Sequence, residues 1–461
     1  MLTNLFLRSP SGTTTAPARV AVLSERLREY LQFDSLVFKK AFAFGGLLAG
    51  SLFAMLRRPR QALSVWSAIH GRNYSAWANR HIERSLRSAL RDEHRTPHRV
   101  LLSGLNDHIN AVGHGIAAKF ISAPERLLGT RALVLKSPRT NERGVIVIDY
   151  SFAFPLFARL FDVPRVLERY HLVLEPSWTG YCTPDILCCC RFGAPIFVES
   201  TEPRDTEFLH RIATNLVPVP VSANWWVDHR IFKPIPGARK DADLVMVASW
   251  SPFKRHSRLF HALAVLTRRG RKLRAIMVGY PNDCTLDDIY RSACHYGVQG
   301  QLEFFERLSP EDVNVQLNRA KVNIVWSRRE GVNRAIIEGL FAGVPCILRR
   351  GFNYGHPYPF INPQTGRFAS EASLPDALLN VLDRHLEYST RTWAMRSMSC
   401  QRAADALGDA IKATAVAAGE RWTTALAVKV SHLDTMRYWD ETDIDTFAAD
   451  YEFLRSAIRC Q

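Results

Sequence analysis

From residue 99 onward the chain alternates short apolar runs with longer mixed stretches. HRVLL, RALVLK (131–136), GVIVIDY (144–150), HLVLE (171–175) and PIFVES (195–200) are almost wholly apolar. Runs of that length, without polar alternation, suit parallel strands covered on both faces. They predict a first α/β domain over residues 99–235. The second half is cleaner. DLVMVAS (243–249), LRAIMVG (273–279), LEFF (302–305), VNIVWS (322–327) and PCILR (345–349) read as strands. Between them RLFHALAVLTRRG, LDDIYRSACHYG, PEDVNVQLNRA and NRAIIEGLFAG carry helical spacing, with Gly270, Gly297 and Gly343 where helix ends are expected. Strict βα alternation predicts a second domain over 236–395, joined to the first through the Pro/Gly/basic stretch IFKPIPGARKDAD. The expected fold class is α/β, with two Rossmann-like doubly wound domains facing a cleft. Residues 396–461 add helical patterns with no visible chemistry, read as packing elements.

Residues 1–98 are a different texture, an N-terminal extension. AFAFGGLLAGSLFAML (41–56) is uncharged, with Lys39-Lys40 before it and Arg57-Arg58-Pro59-Arg60 after it. Sixteen residues at ~1.5 Å each reach roughly 24 Å, short of a comfortable bilayer span, and Gly45, Gly46 and Gly50 weaken an isolated helix. Two readings stand: a monotopic contact with an anionic membrane surface, or a buried helix of the first domain. The opening stretch lacks the apolar core of a signal peptide.

Composition narrows the partners. A hydrophobic content of 47% supplies real cores, and 60 Lys+Arg against 44 Asp+Glu gives a net charge of +16. Such a surplus points to a nucleic acid, an anionic membrane or phosphate-bearing substrates. Residues 1–98 hold 15 Lys/Arg and 6 acids, a surplus of nine in a fifth of the chain. No nucleic-acid-binding motif or basic stripe with interleaved aromatics is present, so nucleic acid is not an expected partner. Nine cysteines, three of them adjacent (Cys188, Cys189, Cys190), fit neither a disulfide framework nor a zinc site. They read as reduced thiols of a cytoplasmic protein.

The candidate chemistry lies in SRREGVNRAIIEGLFAGVPCI (327–347), which carries Glu330 and Glu338. The strand ends at Ser327 and a helix is predicted from about Asn333. Glu330 then occupies the loop at the carboxyl end of a parallel strand, where open α/β sheets bind ligands. Glu338 lies inside the helix, its side chain slanted back toward the N-terminus. Between them the free N–H groups of the first turn, near Val332, Asn333, Arg334 and Ala335, form an anion site supported by the helix dipole. A diphosphate there has a carboxylate on each side to accept hydrogen bonds from hydroxyls, which describes a nucleotide-sugar. The plainer alternative is a dipole-favoured loop acid and a solvated helix acid.

With Glu330, Gly331, Glu338, Gly343 and Pro345, the stretch resembles the E-x7-E signature of family 4 retaining glycosyltransferases of the GT-B fold. WVDHRIFKP (226–234), WSPFKRHSRLFHAL with Lys254, and NPQTGRF (362–368) with Gly366 resemble flanking segments of that family. The resemblance covers about 215–385 well, 99–214 only by strand pattern, and 1–98 not at all.

The resemblance implies that Glu330 contacts the transferred sugar, that Glu338 holds the ribose, and that Lys254 and the helix N-terminus stabilise the departing nucleoside diphosphate. It implies a nucleotide-sugar donor, a glycan or lipid-linked acceptor, retention at the anomeric carbon, and neither catalytic metal nor cofactor. The D-x-D patterns at 241–243 and 443–445 are read as chance. Two departures stand out. Ala248-Ser249 occupy the place of the family's Gly-Arg, leaving Arg255 or Arg334 as substitutes for the diphosphate-binding arginine. The glycine-rich first loop is reduced to SGLNDHINAVGHG (103–115), where His108 and His114 are acceptor-side candidates beside Glu175 and Trp178 of LEPSWTGY. A catalytically idle nucleotide-sugar-binding protein is the rival reading, since fold does not imply activity. A phosphorylase would need a pyridoxal-binding lysine that is not identifiable. The expected location is the cytoplasm, peripheral on the inner membrane face.

Overall fold

The computed structural model describes residues 27, 29–91, 96–200, 202–328, 330–331, 333–352, 358–432 and 435–459. Four helices come first: α1 (Leu36–Met55), α2 (Pro59–Arg72), α3 (Ala76–Arg91) and α4 (Thr96–Ala111). Ser35 caps α1, its Oγ accepting the Phe38 N–H at 3.3 Å. The helix begins five residues before the apolar run, so its twenty residues reach ~30 Å. By length and composition it could cross a membrane. Two of its three glycines are contact surfaces. A Cβ on Gly46 would lie 2.6 Å from Ile69 Cδ1 and one on Gly50 2.3 Å from Trp66 Nε1, both on α2. The opposite face exposes Leu36, Val37, Phe44, Leu48, Leu52 and Met55. One side of α1 is therefore core and the other an apolar surface.

HRVLL is not a strand. It lies inside α4, which also crosses the expected domain boundary at residue 99. Leu101, Leu105 and Ile109 are buried at four-residue spacing, a helical period that a five-residue apolar run conceals.

The first sheet contains β1 (Ala132–Lys136), β2 (Gly144–Asp149), β3 (Tyr170–Glu175), β4 (Ile196–Glu199) and β5 (Leu216–Val219), side by side in chain order. β1 is antiparallel to β2, and the other pairings are parallel. Every residue of β1 to β4 is buried, which is why they read as unbroken apolar runs. Helices α5 (Ala153–Leu160) and α6 (Val163–Arg169) connect β2 to β3, a short turn of helix over Pro184–Leu187 lies between β3 and β4, and α7 (Pro203–Ile212) connects β4 to β5.

The second sheet is wholly parallel. Its strands are β6 (Ala242–Val247), β7 (Ala275–Gly279), β8 (Leu302–Glu306), β9 (Ala320–Val325), β10 (Cys346–Arg349) and β11 (Gly366–Ala369). They alternate with α8 (His256–Arg268), α9 (Leu286–His295), α10 (Pro310–Arg319), α11 (Arg334–Phe341) and α12 (Leu374–Asp383). Gly270, Gly297 and Gly343 end α8, α9 and α11 at φ 79°, 67° and 82°, the left-handed caps expected of them. The order β11-β10-β9-β6-β7-β8 reverses between β6 and β9, and that reversal opens a crevice at the carboxyl ends of these two strands. Leu259, Phe260 and Leu263 of α8 and Leu378 of α12 fill one face of the sheet; Leu317 of α10 and Ile336, Leu340 and Phe341 of α11 fill the other. This is the GT-B fold class, two Rossmann-like halves.

Helix α13 (Thr390–Met398) stays with the second half, whereas α14 (Cys400–Ala417), the hairpin β12 (Lys429–Ser431) with β13 (Met436–Tyr438), and α15 (Ala448–Ser456) return to the first. Tyr438 donates to the Val134 carbonyl at 2.8 Å, and the Tyr170 hydroxyl donates to Asp450. Helices α1 to α4, the first sheet and these final elements share one apolar core.

Candidate active site

The crevice at the switch point is walled by two loops. After β6 the chain runs through Ala248 to Arg255, and after β9 through Trp326 to Asn333. Lys254 on the first loop donates to both oxygens of Glu330 on the second, at 2.7 Å each. Both side chains are largely buried, 14% and 4% exposed, so the pair is far less screened than a surface bridge. Ser327 donates a further hydrogen bond to Glu330 Oε1. The Glu330 carbonyl accepts from the Thr179 hydroxyl at 3.0 Å, which ties this loop to the one after β3 in the first half.

Trp178 enters the same place from the first half. Its ring lies against Gly331, where a Cβ would come within 2.4 Å of Trp178 Cε3 and 2.6 Å of the Ser177 carbonyl. It also meets Phe253 edge-on at 6.4 Å, and the Lys254 ammonium sits 4.9 Å from the Phe253 ring centre. The carboxyl ends of β3, β6 and β9 thus converge on one charged pair rimmed by two aromatic rings.

Helix α11 starts where the sequence predicts. Asn333 is its N-cap, accepting the Ile336 N–H at 3.1 Å. Asn323 of β9 donates to the Ala335 carbonyl at 2.8 Å, and a Cβ on Gly339 would strike Asn323 Nδ2 at 2.5 Å, so the helix is seated closely on its strand. Its other first-turn N–H groups have no acceptor within the helix. Arg334 Nε donates to Glu338 Oε1 at 3.3 Å, one helical turn on. Burial raises the Glu338 carboxyl above its usual range, and Arg334 opposes the shift. Val332 lies outside the described residues.

Other candidates stand apart from this pair. The Arg255 guanidinium is buried and turned to Glu29, at 2.8 and 3.0 Å, and to Glu371. His108 pairs with Asp185 at 2.7 Å. His114 is exposed ahead of a short 3-10 turn. Glu175 is buried and paired with Lys429 at 2.5 Å. The D-x-D at 241–243 is spent on ion pairs, Asp241 with Arg319 and Arg274, Asp243 with Lys321.

Glu175 belongs to a row that the sequence reading saw only in part. Asp149, Glu175 and Glu199 close β2, β3 and β4, adjacent parallel strands, and all are buried. Arg131 donates to Asp149 at 2.9 Å, and Trp226 Nε1 donates to both Glu199 oxygens at 3.0 and 3.2 Å. Burial, with the nearby Glu175 charge, pushes the Asp149 carboxyl from 3.8 to about 7, and burial drives Glu199 upward too. A folded-state value above the unfolded one means that the folded protein holds the proton more tightly. The stabilisation is full below the unfolded value of 3.8 and is lost as the pH rises through about 7. Asp149→Asn is therefore expected to flatten the fall in unfolding free energy across that window, measured by urea denaturation at a series of pH values.

Residues missed by sequence reading include Ser327, Thr179 and Phe253 around the pair, and Glu29, Asp34, Arg328 and Arg349 beside it. One signal was present: two neighbouring strands each run into an arginine pair, WSRRE and ILRRG.

Residues 228–397 match the family model described as glycosyl transferases group 1. No curated protein sequence matches the chain. Among solved structures, the chain is similar to sucrose-phosphate synthase from Thermosynechococcus elongatus, with a TM-score of 0.48 and 16% identity over 70% of this chain and 81% of that one. TarM of S. aureus gives a TM-score of 0.45 at 13% identity, over 58% of this chain and 54% of TarM, about half its length. Anabaena HepE in complex with UDP and glucose gives 0.43 at 12%, over 53% and 72%.

Proposed function

We propose that the protein is a retaining glycosyltransferase of family 4 type, moving a sugar from a nucleotide-sugar donor to a glycan or lipid-linked acceptor in the synthesis of a cell-surface polysaccharide or glycolipid. The observation that carries this reading is the Lys254–Glu330 pair, set at the switch point of the second sheet beside the first turn of α11. The match of residues 228–397 to group 1 glycosyl transferases supports it.

In this reading the diphosphate lies on the α11 N-terminus, where backbone N–H groups and the helix dipole favour negative charge. Lys254 supplies a cation for the charge that grows as the nucleoside diphosphate leaves. Glu330, immobilised by Lys254 and Ser327, faces the transferred sugar, and Glu338 accepts from the ribose hydroxyls. Trp178 offers an apolar face, 44% exposed, against which a sugar ring stacks on the acceptor side. No metal or other cofactor is needed, because Lys254 and the helix terminus supply the positive potential. The exposed apolar side of α1, with Lys39, Lys40, Arg57 and Arg58 near its ends, brings the enzyme to the anionic inner face of a membrane.

The test is thermal stabilisation of the purified protein by a panel of nucleoside diphosphates and nucleotide-sugars, with chelator present, beside Glu338→Ala. A selective shift in the parent, lost in the variant, is the expected result and identifies the donor base. A second reading, donor binding without transfer, draws on two observations: Arg255 is held by Glu29 and Glu371, and Ala248-Ser249 stand where the family has Gly-Arg. Donor-selective stabilisation with no release of nucleoside diphosphate in the presence of any acceptor would favour it. No shift at all from a folded protein would overturn both.

A further inference from the structure

Beside the candidate active site, on the α8 and α12 side of the second sheet, lies a separate cavity of about 570 Å³. Arg258, Arg328, Arg349 and Arg350 line it, with Glu29, Asp34 and Glu371 among its other walls; Lys254, Glu330, Asn333 and Glu338 do not. The arginines come from α8 and from the carboxyl ends of β9 and β10. Asp34 takes Arg328 in a two-pronged bridge at 2.9 Å, and Glu29 takes Arg255 and Arg258. With Arg255 behind the wall, five guanidinium groups face three carboxylates, a surplus of two positive charges. Neither Arg349 nor Arg350 has an ion-pair partner among the described residues. The Arg349 Nε is buried without a hydrogen-bond partner. Burial, then the charges of Arg328 and Arg255, hold Arg349 down to about 10, with Glu371 and Asp34 opposing the shift.

The geometry points to this cavity as a second anion site, distinct from the donor site, that takes a phosphate-bearing ligand on Arg328, Arg349 and Arg350. Guanidinium forks arranged around a common space match the oxygens of a phosphate, each forming paired charge-assisted hydrogen bonds. Asp34 and Glu29 occupy part of the same field, so the ligand competes with them. The segment that carries these acids leads directly into α1, whose outer face is apolar and exposed. The phosphate therefore comes either from an anionic lipid headgroup at the surface that α1 contacts, or from a soluble phosphate ester.

The test is calorimetric titration of the full chain with inorganic pyrophosphate. It is done in a Lys254→Ala background, which weakens the proposed donor subsite, so that a change caused by the arginine substitutions is read at the second site. Arg349→Ala/Arg350→Ala is expected to weaken binding about tenfold, and Asp34→Asn to tighten it by removing an internal competitor. If the double variant unfolds, Arg350→Ala, with its exposed side chain, carries the test at about threefold. Flotation with equimolar phosphatidylglycerol and phosphatidylcholine vesicles, against phosphatidylcholine alone, separates the sources. Flotation that falls with the arginine substitutions supports a lipid headgroup; flotation that does not change while pyrophosphate binding falls supports a soluble ligand. Pyrophosphate affinity unaffected by the arginine substitutions overturns the proposal. The donor reading fails separately, by the absence of nucleotide-dependent stabilisation in the parent chain.

Discussion

Under the proposed function, Glu330→Gln is expected to lower the rate of sugar transfer by about 10³-fold while leaving nucleotide binding nearly intact. Glutamine keeps the size and one acceptor oxygen of the side chain but not its charge. The carboxylate is buried, fixed by Lys254 through both oxygens and by Ser327, and the loop is anchored across the cleft by Thr179. A group held this firmly incurs little reorganisation cost when positive charge develops at the sugar, which is where preorganised electrostatics act. Removing the charge also leaves Lys254 partly buried without its counter-ion, at a cost of roughly 1–3 kcal/mol in stability. Lys254→Met combined with Glu330→Gln isolates the stability cost, since it removes the unpaired cation, while turnover stays low because the cation proposed for the leaving diphosphate is lost as well. Measured as kcat and as thermal unfolding, a recovery of stability without recovery of turnover is expected. Turnover within a few-fold of the parent in Glu330→Gln would remove Glu330 from the chemistry.

The second large effect is at Gly331. Alanine there brings its Cβ to 2.4 Å from the Trp178 ring and 2.6 Å from the Ser177 carbonyl. The ring can turn aside, but a backbone carbonyl cannot move without its loop. The loop after β3 must then withdraw from the loop that carries Glu330. A misplacement of about 1 Å between reacting groups costs about 10²-fold, and a loss of that order in kcat/KM is expected. Trp178→Ala in the Gly331→Ala background should not restore activity, because the clash with Ser177 remains and the face proposed to stack the acceptor sugar is lost. Full rescue would mean that only the ring mattered, and no loss in Gly331→Ala would mean that the two loops do not need this contact.

Much of the second half could be read from the chain because most of its strands are buried on both faces and three of its helices end on glycines. Strand order follows from neither signal, yet it is the order that sets Lys254 and Glu330 opposite each other. Composition misled where an element was short. HRVLL is apolar like a strand, but Leu101, Leu105 and Ile109 reveal their four-residue spacing only when the helix is extended past it. LVPV, the fifth strand of the first sheet, is four residues long with a proline inside, and its neighbours decide it rather than its own propensity. Arg255 was a reasonable diphosphate ligand from its place after Lys254. What turns its side chain away is Glu29, 226 positions earlier, and no local pattern encodes that distance. His108 and Glu175 illustrate the same point, each taken by a partner far along the chain, Asp185 and Lys429.

The return of the last elements to the first sheet has a consequence for synthesis. The apolar clusters of the second half close within residues 227–398, so that half has all its core once those residues have left the ribosome. The core of the first half spans residues 43–457 and lacks part of its filling until residue 457 has been made. Contacts such as Tyr438 to Val134 close loops of 304 residues, and loops of that length form late. The half translated first is thus the half that matures last. During translation its exposed strands need protection by a chaperone, or by α1 to α4, until the final helices arrive.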